Sequence, residues 1–143
     1  MQDISAVNTW LAVNNQNLPQ DKMESLRTSL VNCSESKWNM VRFLTFKEPN
    51  IMLLISFFAG YWGVERFMLG RKASGVLKLF VIQLSLIGEF VCLFLFLAEQ
   101  TAWGTLSLLM FIVGFGWWVT DVCLVRGMTK EYNYNLIKNI LTT

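Results

Sequence analysis

The chain has 143 residues, 54% of them hydrophobic, with 12 basic and 10 acidic side chains and a net charge of +2. One domain of this length cannot bury so much apolar surface in water, so the composition places it in a lipid bilayer. The near-balanced charge, without any Lys/Arg-rich run, argues against a nucleic-acid partner, and the complete lack of His removes the commonest general base and metal ligand.

The expected fold class is all-α: an integral membrane helical hairpin or bundle of three apolar helices with a small N-terminal helical region. Residues 1–48 form a polar helical region. Residues 49–127 form the membrane domain, with helices at about 49–69, 74–98 and 103–126, and residues 128–143 form a polar tail. The first fifteen residues carry Asp3 and no apolar core, unlike a cleaved signal peptide, so the later segments are expected to direct insertion.

In the N-terminal region, Ile4, Val7, Trp10 and Leu11 share one helical face, and an Asn-rich break follows at 14–17. Pro19 suits the first turn of a second helix with Asn17 as its cap and Met23, Leu26 and Leu30 as its stripe. Ser34 and Glu35 open a third pattern through Trp38 and Val41. Fifty residues with so few large apolar side chains make a marginal core alone. The region therefore packs as a cap on the membrane part, lies on the membrane, or binds a protein partner.

The first apolar segment, from Ile51 to Val64, has only 14 uncharged residues, short of the ~20 that a ~30 Å hydrocarbon core requires. It either spans with Glu65 and Arg66 among the headgroups or dips in and returns. The next two, Gly75 to Ala98 and Trp103 to Val125, are long enough to cross, and their short connection makes them antiparallel neighbours. That pairing brings Lys78, near the start of one, level with Asp121, near the end of the other, and Glu65 and Arg66 arrive at the same level. These four charges sum to zero, and pairing makes them tolerable in a membrane. They are expected to fix how the helices dock. Full spanning of the first segment puts six basic residues on one side against three on the other, whereas a re-entrant segment leaves all nine on one face.

Glu89 lies eleven residues beyond Lys78 on the same helical face, with Ser85 between them and Ser107 at similar depth on the facing helix. A carboxyl at mid-membrane is a functional candidate by default, as a packing group between subunits or as part of an ion path. Gly60, Gly63, Gly114 and Gly116 are expected to permit close helix packing. Cys33, Cys92 and Cys123 have no metal or redox spacing and read as small apolar residues. No catalytic constellation, cofactor or metal is expected, because Ser and Thr have no His to activate them.

The run Gly60-Tyr-Trp-Gly63-Val-Glu65-Arg66-Phe67-Met-Leu-Gly70, then Gly75-Val-Leu-Lys78-Leu, then Gly114-Phe-Gly116-Trp-Trp-x-x-Asp121 resembles the three blocks of the two-transmembrane (TM-two) domain family, bacterial type. Glu65-Arg66-Phe67 stands as a variant of the family's Asp-Arg-Phe tripeptide, and about thirty residues, from Val81 to Val113, stand where the family has a short Gly-rich link. The resemblance implies a multi-pass protein of the inner (cell) membrane and assigns no reaction. The expectation is a non-enzymatic protein that anchors and interacts, of an immunity or accessory kind. Its partners are the lipid bilayer, further copies of itself and a protein held through residues 1–48. The alternative is an oligomeric ion channel or pore-forming toxin-like assembly with Glu89 in or near the path.

Overall fold

The computed structural model describes the backbone of residues 2–97 and 101–143 and the side chains of residues 2–95 and 108–143. It is all-α, with no strand among the described residues. The helices are α1 (Ile4–Asn14), α2 (Met23–Val31), α3 (Glu35–Arg42), α4 (Pro49–Ala59), α5 (Val64–Met68), α6 (Lys72–Leu97) and α7 (Thr101–Thr142). They divide into two compact units, one of Met1–Met52 with Arg126–Thr143 and one of Leu53–Val125.

In the first unit, Asp3 caps α1 by accepting from the Ser5 amide, and Ser34 caps α3 by accepting from the Lys37 amide. Asn17 does not cap α2. It ends a 3-10 turn, Pro19 is extended, and a second 3-10 turn over Gln20–Lys22 delays the helix to Met23. The core is Val7, Leu11, Leu18, Leu26, Leu30, Trp38 and Val41, closed by Ile137 of α7, with Tyr134, Ile140 and Leu141 packed against it. Trp10 meets Trp38 and Phe46 edge-on, with ring centroids 5.9 and 5.8 Å apart. What covers the thin apolar stripes of the N-terminal helices is therefore the end of the same chain.

Residues 128–143 accordingly form no separate tail. With no proline beyond Thr101 to break it and Gly127 tolerated as a single glycine, α7 continues to Thr142. Its buried Asn133 is the polar tie of the first unit. The side-chain amide donates to the carbonyls of Asn17 (2.9 Å) and Lys47 (2.8 Å), and its oxygen accepts from the Lys47 amide (3.1 Å). Lys22 pairs with Glu131 at 2.5 Å and lies over the Tyr134 ring, while Lys37 donates to the Leu141 carbonyl at 2.8 Å, near the helix end where carbonyls are unpaired.

The second unit holds α5, α6 and the parts of α4 and α7 that lie within Leu53–Val125. Lys72–Leu95 and Leu108–Thr142 are long and apolar enough to cross a membrane, and Pro49–Trp62 is a shorter apolar helix. Pro49 takes the first helical position of α4, where its missing N–H is harmless. The stretch expected as one helix over 49–69 is broken: α4 ends at Ala59, a 3-10 turn covers Gly60–Trp62, and Gly63 turns left-handed at φ +72° before α5. Gly70, at φ +71°, then releases the chain into α6. Large side chains along α6 point outward, with Phe80 67% and Phe90 and Phe94 73% exposed, which suits a surface that meets lipid rather than water.

Candidate functional site

The site is built from the turn between α4 and α6. Two glycines make it. The Gly63 amide donates to the Gly60 carbonyl at 2.9 Å, and the Gly63 carbonyl accepts from the Arg66 amide at 3.0 Å, so α5 starts in a new direction directly after the turn. A Cβ on Gly63 would lie 3.4 Å from both the Gly75 carbonyl and the Lys78 side chain, so its backbone runs against α6.

From this turn, three consecutive residues take three different partners. Glu65 Oε1 accepts from Lys78 Nζ at 2.7 Å. Arg66 donates through Nε (3.3 Å) and a terminal nitrogen to the two oxygens of Asp121, a side-on fork. The Phe67 ring covers Gly75 so closely that a Cβ there would sit 3.1 Å from it. Lys78 closes the chain of charges by reaching Asp121 Oδ2 at 2.5 Å.

The result is a line, Glu65–Lys78–Asp121–Arg66, of two cations and two anions. Glu65 and Lys78 are fully buried, Asp121 is 1% exposed, and only the guanidinium reaches the rim. Ionised groups so placed are tolerable only because each meets an opposite charge, and removing one member strands the next. Lys78 stands nineteen residues before the end of α6 and Asp121 twenty after the start of α7, so their contact sets the two helices in step as an antiparallel hairpin.

Two buried polar atoms next to this line were not foreseen. Ser56 on α4 is fully buried. Its Oγ and Glu65 Oε2 make no hydrogen bond among the described residues, and they flank the space a Cβ on Gly60 would occupy, at 3.0 and 3.5 Å. The only signal in the sequence was a lone serine four residues before that glycine. Asn133 was missed as well, since nothing sets it apart from its neighbours in a polar stretch.

The remaining candidates stand apart from the line. Ser85 Oγ turns back to donate to the Val81 carbonyl at 3.0 Å, as helical serines do. Glu89 is half-buried on α6 and has no hydrogen bond or ion pair among the described residues. Ser107, expected opposite it, and Trp103 lie outside the residues whose side chains are described. The expected close packing at Gly114 and Gly116 is absent among the described residues. A Cβ at either meets nothing within 4 Å among the described residues. Near it, Phe57 and Phe115 flank Trp118 at centroid distances of 5.4 and 5.6 Å.

The family model of the TM2 domain matches residues 45–94. The resemblance to this family is thereby borne out over that segment. The match takes in α4, the glycine turn with Glu65-Arg66-Phe67, and α6 as far as Phe94. Residues 81–94, read above as the beginning of an insertion, thus lie inside the TM2 domain, and Asp121, which completes the charge line, lies beyond it. Together with the two long apolar helices, the TM2 match points to a small membrane protein. Neither a curated protein nor a solved structure matches the chain.

Proposed function

We propose that the protein is a non-catalytic, multi-pass anchor of the cell (inner) membrane that acts by holding a protein partner outside the hydrocarbon, in an accessory or immunity role. The observation that carries this reading is the closed charge line. Lys78, Glu65 and Asp121 are each engaged with an opposite charge and buried, so they hold helices together and present no free acid, base or nucleophile to a substrate. From Lys78 to the end of α6 the helix rises ~28 Å, about one hydrocarbon thickness. The charge line then lies at one membrane interface and the end of the hairpin at the other.

The portion offered to a partner is the unit of residues 1–52 and 126–143, which has its own core. A partner would meet its outer surface, because the apolar stripes of α1 to α3 are already covered. The test is photo-crosslinking in native membranes from exposed positions such as Met40 and Phe43, which are 59% and 83% exposed. Discrete protein adducts from these positions, absent when the probe is at buried Val41, support the reading. Lipid adducts alone contradict it.

One observation favours a second reading. Glu89 is a carboxyl within an apolar helix with no hydrogen bond or ion pair among the described residues, and such a group is stabilised by another copy of the chain or by water. An oligomer with Glu89 at a shared path is the form this takes. Altered ion flux on Glu89→Gln, with assembly unchanged, would favour it.

A further inference from the structure

The first unit contains a cleft of about 520 Å³ whose lining is unusually rich in amides. Asn15 and Gln16 come from the 3-10 turn after α1, Gln20 from the turn before α2, and Asn50 from the first turn of α4. None of these four side chains makes a hydrogen bond among the described residues, so both their donors and their acceptors are available. Arg126 and Lys130 of α7 also line the cleft. Spaced four apart, they share one helix face, and neither takes part in an ion pair among the described residues. Glu48 is the one acid in the lining, which leaves the cleft with a net charge of +1.

We propose that this cleft binds the phosphate ester of a polyhydroxylated alcohol. Arg126 and Lys130 take the phosphate, the guanidinium by its fork and the ammonium as a point charge, with the N-terminal turn of α4 adding the positive end of its dipole. The amides take the hydroxyls, since each can donate to one oxygen and accept from its neighbour. Glu48 opposes the bound anion and disfavours a second phosphate. The same chemistry is offered by the headgroup of an anionic phospholipid and by a free polyol or sugar phosphate. Placement speaks for the headgroup: Asn50 precedes the uncharged apolar run that starts at Ile51 and Arg126 follows the one that ends at Val125, so both stand at the charged borders of these runs. The site stands whether or not the same unit also holds a protein partner.

The test uses the full chain in a nonionic detergent. Its melting temperature is followed against short-chain phosphatidylglycerol, against glycerol phosphate, and against short-chain phosphatidylcholine as the control without a free anionic polyol. The expected result is a saturable rise with phosphatidylglycerol that phosphatidylcholine does not give. A rise with glycerol phosphate as well shows that the headgroup suffices, and a rise with glycerol phosphate alone assigns the site to a soluble ligand. In each case R126Q/K130Q should weaken apparent affinity roughly tenfold or more, as loss of charge-assisted bonds does. Glu48→Gln, which removes the repelling charge, should tighten it several-fold. No rise with either probe, an undiminished rise in R126Q/K130Q, or unchanged affinity in Glu48→Gln overturns the proposal. The last readout remains decisive if the double variant fails to fold.

Discussion

Lys78→Met is the sharpest perturbation of the charge line, because methionine keeps much of the side chain's volume and removes its charge and its donors. Lys78 is fully buried and bonded at 2.7 Å to Glu65 and 2.5 Å to Asp121. Without it Glu65 keeps no cation among the described residues, while Asp121 keeps Arg66. Removing one partner of a buried pair costs about 3–5 kcal/mol, chiefly through the charge left behind. At ~3 °C per kcal/mol for a chain of this length, the melting temperature should fall by about 10 °C. Removing the stranded charge as well, in Lys78→Met/Glu65→Gln, should recover a large part of that loss, a coupling of about 2 kcal/mol or more. The assay is thermal unfolding in detergent for wild type, both single variants and the double. A Lys78→Met protein that melts within about 2 °C of wild type, or a double variant whose loss equals the sum of the singles, refutes the interdependence of these charges.

Other outcomes follow from the same geometry. Asn133→Leu removes three buried hydrogen bonds to the backbone of Asn17 and Lys47, so it should cost about 2–4 kcal/mol. Faster hydrogen exchange at the Lys47 amide would report it. Gly63→Ala should destabilise by about 1–2 kcal/mol because its φ of +72° suits glycine, whereas Gly116→Ala should be neutral or stabilising by up to about 1 kcal/mol, since no atom lies within 4 Å of its Cβ. A strongly destabilising Gly116→Ala would mean that a second copy packs there. In the first unit, the hydrogen bond to Glu131 holds Lys22 above its ordinary 10.5, outweighing desolvation. The contribution of this pair is therefore present below about pH 10.5 and lost as pH rises through the higher folded value, so wild type should lose stability over that alkaline range faster than Lys22→Met.

The charge line was legible because charges inside apolar runs stand out. Lys78 lies near the start of one apolar run and Asp121 near the end of the next, and antiparallel pairing brings the two level. The glycine turn was half legible. The run from Gly60 to Gly70 drew attention, yet hydropathy joined it to the segment before it, since pattern does not register the positive φ at Gly63 that ends one helix and starts the next. The role of residues 126–143 was not legible. They read as a polar tail, because which surface Ile137 and Ile140 cover depends on contacts a hundred residues apart. The glycines at 114 and 116 show the reverse failure, because small residues permit close approach without requiring it.

The most direct test of the account is ion leak from liposomes that hold the full chain, with insertion verified by protease protection, for wild type and Glu89→Gln. An anchor whose charges are closed upon one another predicts vesicles as tight as protein-free ones for both proteins. A leak from the wild type that Glu89→Gln alters would contradict it and make the protein a conducting assembly.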